Sequence, residues 1–261
     1  MSTFREREVA VVTGGASGIG AACARVLARW GCRVVVADVQ LDAARHVAAA
    51  VSGVAERMDV ASEASVEESA VRIEAQIGAV GVLVNSAGVL QRPLPPEELD
   101  LRTWDEVLSV DLRGTYVASV AFGSRMARRG RGAIVNIASV VGLRAAPLHA
   151  YAPAKAAVLS MTECLAAEWG RSGVRVNSVS PGYTRTPALQ AAIDRGQRDG
   201  ALLAGSAALG RIVDPDEVAN AVAFLASEDA AAITGANLPV DAGWLVATSW
   251  GTYGGLRGRR S

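Results

Sequence analysis

The chain alternates short apolar runs rich in β-branched residues with longer segments of helical period. Residues 9–13, 33–38, 54–58, 80–85, 133–138, 174–179 and 236–240 have the length and composition of strands. Between them, helical periodicity covers 18–30, 41–51, 62–77, 101–128, 150–170 and 215–226. The third helix is the clearest: Val66, Ala70, Ile73 and Ile77 share one face, behind a start marked by Ser62 and Ser65. Strands that are apolar throughout, rather than alternating, are buried on both faces, which is the mark of a parallel sheet covered by helices. Right-handed crossovers then predict an α/β, Rossmann-like doubly wound sheet of about seven strands with helices on both faces. Low-complexity linkers and internal repeats are absent, so residues 1–261 are expected to form a single domain. Two stretches depart from the rhythm. Residues 184–212 are broken by Gly196, Gly200, Gly205 and Gly210 and read as a mobile flap. The tail, 244–261, carries Trp244, Trp250 and Tyr253 and is too aromatic for a simple disordered end.

Composition narrows the function. In 261 residues there are 26 basic and 26 acidic side chains, a net charge of zero, which argues against a sequence-independent nucleic-acid binder and a polybasic membrane-surface protein. The first eight residues hold no apolar signal core, and no apolar run approaches the roughly 18 residues of a membrane helix. A cytoplasmic protein without membrane or nucleic-acid partners is expected. Cys23, Cys32 and Cys164 form no CxxC pair, so neither a disulfide framework nor a metal site is indicated, and Cys23 and Cys164 read as small core residues. One bias is informative: 25 of the 26 basic residues are arginine, and the one lysine is Lys155. A compact ammonium does what a guanidinium cannot.

The candidate chemistry lies where strands hand over to loops. Thr13–Gly20 (TGGASGIG) joins the first strand to the first helix. Glycines 14, 18 and 20 allow a tight turn and close backbone approach to a pyrophosphate, with the helix N-terminus supplying free N–H groups. Asp38 ends the second strand, 24 residues after Gly14, where a carboxylate accepts from adenosine ribose hydroxyls and repels a 2′-phosphate. No arginine stands at Ala16, Ser17 or Val39 to receive that phosphate, so NAD is favoured over NADP. Ser139 follows the fifth strand at the carboxyl edge of the sheet. Tyr151 and Lys155, four apart, share a face of the next helix. A tyrosine working as a base near neutrality needs its phenolate stabilised, and a neighbouring ammonium can help.

With these motifs the sequence resembles a compact short-chain dehydrogenase/reductase over about residues 9–244. The likeness rests on TGxxxGIG at Thr13–Gly20, NxAG at Asn85–Gly88, YxxxK at Tyr151–Lys155, and Pro181-Gly182 followed by Thr186. Asp59-Val60 and Asp241-Ala242-Gly243 add to it. The resemblance implies hydride transfer between NAD(H) and a secondary alcohol or ketone, with polyols or sugars as leading substrates. It makes Tyr151 the acid–base, Ser139 the group that holds the substrate oxygen, and Lys155 the ribose binder that tunes Tyr151. Gly14, Ser17, Gly18, Ile19 and Gly20 hold the dinucleotide, Asp38 and Val39 its ribose, and Asp59 and Val60 its adenine. Pro181, Gly182, Thr184 and Thr186 meet the nicotinamide carboxamide. Asn85, Ala87 and Gly88 line the cofactor or serve only as a strand-to-loop turn. The family's usual fourth catalytic residue is an asparagine, and here the position reads Asp111, which is expected to keep a water relay and shift the pH optimum. A homotetramer, or a homodimer, is implied. Two rivals stay open: an NADPH-dependent ketone or 3-oxoacyl reductase, and an NAD-binding sensor without turnover. His149, Tyr183 and Arg144 flank the expected cleft.

Overall fold

A computed structural model of the chain describes Phe4 and residues 8–257; the first and last few positions of the expected domain and tail lie outside the described residues. The elements in order are β1 (Val9–Thr13), α1 (Gly18–Arg29), β2 (Arg33–Asp38), α2 (Leu41–Ala50), β3 (Val54–Arg57), α3 (Glu63–Gln76) and β4 (Val80–Asn85). They continue with α4 (Leu101–Val107), α5 (Thr115–Arg128), β5 (Gly132–Ile137), α6 (Tyr151–Trp169), β6 (Val174–Pro181), α7 (Pro187–Asp194) and α8 (Gly200–Gly205). The last are α9 (Pro215–Ala226), β7 (Asn237–Val240) and α10 (Trp244–Ala247).

The seven strands form one sheet in the order β3-β2-β1-β4-β5-β6-β7, and every pairing is parallel. The unbroken apolar runs have their cause here. All five residues of β1 and all six of β4 are buried, because helices cover both faces. One layer packs Val26 and Leu27 of α1 with Val218 and Val222 of α9 against Val12, Val34 and Val84. The other packs Ile73 of α3 with Phe122 and Met126 of α5 against Val11, Leu83 and Ile134. Chain order reverses between β1 and β4, so the loops leaving those strands open a crevice at the carboxyl edge.

Two expectations need correction. The helix expected over 101–128 is not uniform: a π-helical turn, Leu108–Gly114, separates α4 from α5. Cys164 is exposed, unlike the buried Cys23 and Cys32, because α6 turns Val158, Thr162 and Leu165 inward instead. The stretch 184–212, expected to hold helical pieces broken by glycines, contains the two short helices α7 and α8, and α7 buries none of its residues. No helix among the described residues is long and apolar enough to cross a membrane.

Candidate active site

At the end of β1 the chain turns through Gly14 (φ +63°) and Gly18 (φ +52°) into α1. A Cβ on Gly14 would lie 2.6 Å from the Ala87 Cα, so glycine is what lets the loops after β1 and β4 meet. Gly20 is closer still: a Cβ there would overlap the Gly14 carbonyl. Thr13 binds the two loops, its hydroxyl accepting from Ser86 N–H at 3.1 Å and Ala87 N–H at 3.2 Å. Ser17 occupies the N-cap of α1, yet its side chain makes no capping hydrogen bond. The first amides of a twelve-residue helix therefore face the crevice without a side-chain acceptor, which fits an anionic pyrophosphate. Thr186 closes the other side, its methyl 3.3 Å from where a Gly18 Cβ would stand. Thr184 is buried, its hydroxyl donating to the Gly182 carbonyl, and Gly182 packs tightly on the Asp241 backbone.

Asp38 is buried at the end of β2 and held in place: its carboxylate accepts from Ala16 N–H at 3.1 Å and Gln40 N–H at 2.9 Å. Val39 beside it is 51% exposed. Arg57 is the register partner of Asp38 on β3. Asp59 accepts from Ala61 N–H and fixes the following turn. Val60 sends its side chain into the core against Gly114. The Asn85 side chain likewise turns inward, donating to Ser119 and to Asn136 at 2.9 Å each, and its own amide oxygen is buried without a hydrogen-bond partner among the described residues.

The centre of the crevice gathers Ser139, Tyr151, Lys155 and Asp111. The π turn of Leu108–Gly114 brings the Asp111 carboxylate to 3.0 Å from the Lys155 ammonium, with side-chain exposures of 0% and 5%. The other Asp111 oxygen accepts from Val89 N–H at 2.8 Å, and only a glycine at 88 leaves room for the carboxylate. π turns of this kind recur at functional sites because they redirect a side chain without ending the helix. Lys155 also donates to the Ile137 carbonyl at 3.0 Å, and its ammonium sits 5.4 Å from the centroid of the Tyr151 ring. Ser139 caps the turn after β5, its hydroxyl accepting from Val141 N–H at 3.4 Å, and it bears on the Tyr151 phenol electrostatically.

Burial pushes the Tyr151 phenol above its usual range. Lys155 and the Ser139 hydroxyl pull it down, Asp111 pushes it up, and the net effect is upward. Burial works against the Lys155 ammonium, but Asp111 and Tyr151 outweigh it, so Lys155 too is raised and stays charged. His149 and Arg144 border an open depression of about 430 Å³ on the exposed side of α6, beside Pro153 and Ala156. Tyr183 meets Trp244 edge-on at 6.1 Å, and Trp250 and Tyr253 remain exposed on the tail. Gln91, which no sequence pattern singles out, is 3% exposed and points its amide oxygen at the start of α6. Among the described residues, no group of three or more His, Cys, Asp or Glu is placed to hold a metal.

Comparison with known proteins is consistent in fold. A family model described as Enoyl-(Acyl carrier protein) reductase matches residues 14–245. D-threitol dehydrogenase of Mycolicibacterium smegmatis is 44% identical over 245 residues, covering 92% of this chain and 93% of its own. Cis-4-hydroxycyclohexanecarboxylate dehydrogenase of Sinomonas cyclohexanicum is 42% identical, covering 92% of this chain and 97% of its own. A crystal structure described as ribose-5-phosphate isomerase, from Brucella melitensis 16M, superposes with a TM-score of 0.96 at 56% identity, covering 99% of this chain and 100% of that one.

Proposed function

The chain belongs to the short-chain dehydrogenase/reductase family and is an oxidoreductase of the CH–OH group; from that premise we propose that its dinucleotide is NAD and that its substrate is a polyol, sugar or cyclic secondary alcohol, or the matching ketone. The observation that carries the reading is the buried Lys155–Asp111 pair beside the half-buried Tyr151, next to a glycine crevice that a single Cβ would fill. NAD is favoured by the Asp38 carboxylate, whose fixed negative charge suits ribose hydroxyls and repels a 2′-phosphate. The substrate class follows the two dehydrogenase relatives, which are named for a tetritol and for a cyclohexanol acid.

When bound, the nicotinamide supplies the carbon that accepts or gives the hydride. The glycine turn and the N-terminus of α1 hold the pyrophosphate, Asp38 the adenosine ribose, and Pro181 to Thr186 the carboxamide side. Tyr151 takes the proton of the alcohol during oxidation and returns it to the carbonyl oxygen during reduction. Ser139 holds that oxygen and stabilises the charge that develops on it. Lys155 favours the phenolate, and Asp111 opposes it while keeping the ammonium charged. Because burial and Asp111 together leave the phenol raised, oxidation gains rate toward alkaline pH. The expected homotetramer or homodimer belongs to the same proposal: α6 exposes Pro153, Ala156 and Cys164 on one side, and the mass in solution tests it.

A second reading has a specific source, since the 56% identical structure is described as a sugar-phosphate isomerase. Isomerisation needs no net hydride transfer to a bound dinucleotide. A single set of assays separates the readings. Tetritols, hexitols, cyclohexanols and 3-oxoacyl thioesters are offered with NAD or NADP and followed by reduced-nicotinamide absorbance, and ribose 5-phosphate is offered without dinucleotide. NAD-linked turnover of an alcohol is the expected result. Isomerisation without dinucleotide, or strict NADP dependence, would contradict the proposal.

A further inference from the structure

The helix that carries Tyr151 and Lys155 has no cap of its own. Ala150, in the N-cap position of α6, has helical backbone angles and no side chain able to accept, so the leading amides need an acceptor from elsewhere. Gln91, in the loop after β4, provides it. Its amide oxygen accepts from Ala150 N–H at 2.5 Å and from Tyr151 N–H at 3.1 Å. Two N–H donors facing one end of the amide require an oxygen there, and the amide nitrogen at the other end lies 3.4 Å from the Arg92 carbonyl. A polar side chain buried to this degree costs free energy unless its hydrogen bonds are made, and here they are made to the first turn of the catalytic helix. The same loop is gripped two residues earlier, where Asp111 accepts from Val89 N–H. A short strap thus runs from the π turn that carries the counter-ion of Lys155 to the first residue of α6.

We propose that Gln91 is a positioning residue for Tyr151: by capping the two leading amides of α6 it fixes the tyrosine backbone, and with it the placement of the phenol against Ser139 and Lys155. The inference rests on the acid–base reading of Tyr151 given above. The side chain suits the task in both length and charge. A carboxylate at 91 would cap the helix at least as well, since the helix dipole and charge-assisted bonds favour it. It would also add a negative charge near a phenol already faced by Lys155 on its own helix, Asp111 from the π turn and the Ser139 hydroxyl, with His149 two residues upstream. Glutamine supplies the acceptor without the charge.

The test compares Gln91→Met, which keeps the shape and removes the acceptor, with Gln91→Glu, which keeps the acceptor and adds charge. Both are made in the full chain. Readouts are amide hydrogen exchange in the peptide spanning the start of α6, the Kd for NAD by calorimetry, and kcat, KM and the pH profile of alcohol oxidation. Gln91→Met is expected to speed exchange at the start of α6 and lower kcat by about 10- to 100-fold, as a small misplacement of a reacting group does, with NAD affinity within about twofold of the parent. Gln91→Glu is expected to restore slow exchange and most of kcat, with the acid limb displaced to higher pH. Parent-like kcat in Gln91→Met, loss of NAD affinity in step with kcat in both variants, or fast exchange in Gln91→Glu would overturn the proposal. Should Gln91→Met fail to fold, Gln91→Glu decides: a displaced profile with slow exchange supports it and an unmoved profile overturns it. Tyr151→Phe in the same assay keeps the two readings apart. If it turns over like the parent, the acid–base reading has failed and takes this proposal with it; if it is inactive while Gln91→Met is not, only the role of Gln91 has failed.

Discussion

Asp111→Asn isolates one charge at the centre of the crevice. Asparagine keeps nearly the same volume and an oxygen for the Val89 N–H, but removes the negative charge that lies 3.0 Å from Lys155. The Lys155 ammonium is in turn 5.4 Å from the Tyr151 ring centroid, so the two distances laid end to end put the carboxylate no more than about 8.4 Å from the ring. At an effective dielectric of about 20, a unit charge at that separation opposes a phenolate by about 2 kcal/mol, about 30-fold in an equilibrium. The acid limb of kcat/KM for alcohol oxidation is therefore expected to move to lower pH. At a fixed pH on that limb, where the rate follows the ionised fraction of Tyr151, the variant should exceed the parent by about 30-fold. Removing the carboxylate also leaves a buried ammonium without its counter-charge, which costs about 3 kcal/mol of stability, readable by urea unfolding. A pH–rate profile that does not move, together with an unfolding midpoint that does not fall, would refute the coupling of Asp111 through Lys155 to Tyr151.

Three further outcomes follow from the same geometry. Gly14→Ala forces a side chain into a left-handed backbone position against the Ala87 backbone, so NAD affinity measured by calorimetry should fall beyond detection, with a stability loss of about 1–2 kcal/mol from the backbone alone. Asp38→Asn keeps an acceptor for the Ala16 or Gln40 amide while removing the charge, and the ratio of NAD to NADP efficiency should fall by at least about tenfold, as one lost charge repulsion of this kind allows. Stability should also decline in alkali. Tyr151 and Lys155 are both raised above their ordinary values of 10.0 and 10.5, so the folded chain holds their protons longer than the unfolded one. Their contribution is fully present below pH 10 and is lost as the pH climbs through the folded-state values, and Tyr151→Phe should flatten the decline seen by urea titration.

Much of the architecture is legible along the chain because parallel strands buried on both faces are mostly apolar, with polar residues such as Thr13 and Asn85 kept to their carboxyl ends. Val9–Thr13 and Val80–Asn85 announce themselves as apolar runs with sharp ends. Ser62 marks the start of α3 through a bond its hydroxyl does accept, from Ser65 N–H. The glycine turn is legible because only glycine tolerates the backbone angle at 14 and the approach to Ala87. Lys155 stands out against an arginine background, and the structure places it beside Tyr151 and Ser139. What the sequence hides are features with no local signature. The π turn at Leu108–Gly114 has ordinary helical composition, and only tertiary pairing of Asp111 with Lys155 and Val89 reveals its use. Gln91 sits in an irregular loop, 60 residues from the tyrosine amide it holds, so no spacing rule reaches it. Cys164 shares the outward face of α6 with Ser160 and Glu168, but that face also carries Ala156 and Ala167 while the inner one holds Thr162, so the polar contrast between the two is weak.

The central claim is that Tyr151 moves the proton while a dinucleotide bound by the glycine crevice moves the hydride. It is tested most directly by measuring NAD binding and NAD-linked alcohol turnover side by side in the parent and in Tyr151→Phe. The account predicts NAD affinity within about twofold of the parent and turnover lowered by about 10²- to 10⁴-fold, the range a positioned acid–base group contributes. A Tyr151→Phe variant that turns over alcohol at the parent rate, or one that loses turnover only because it no longer binds NAD, would contradict it.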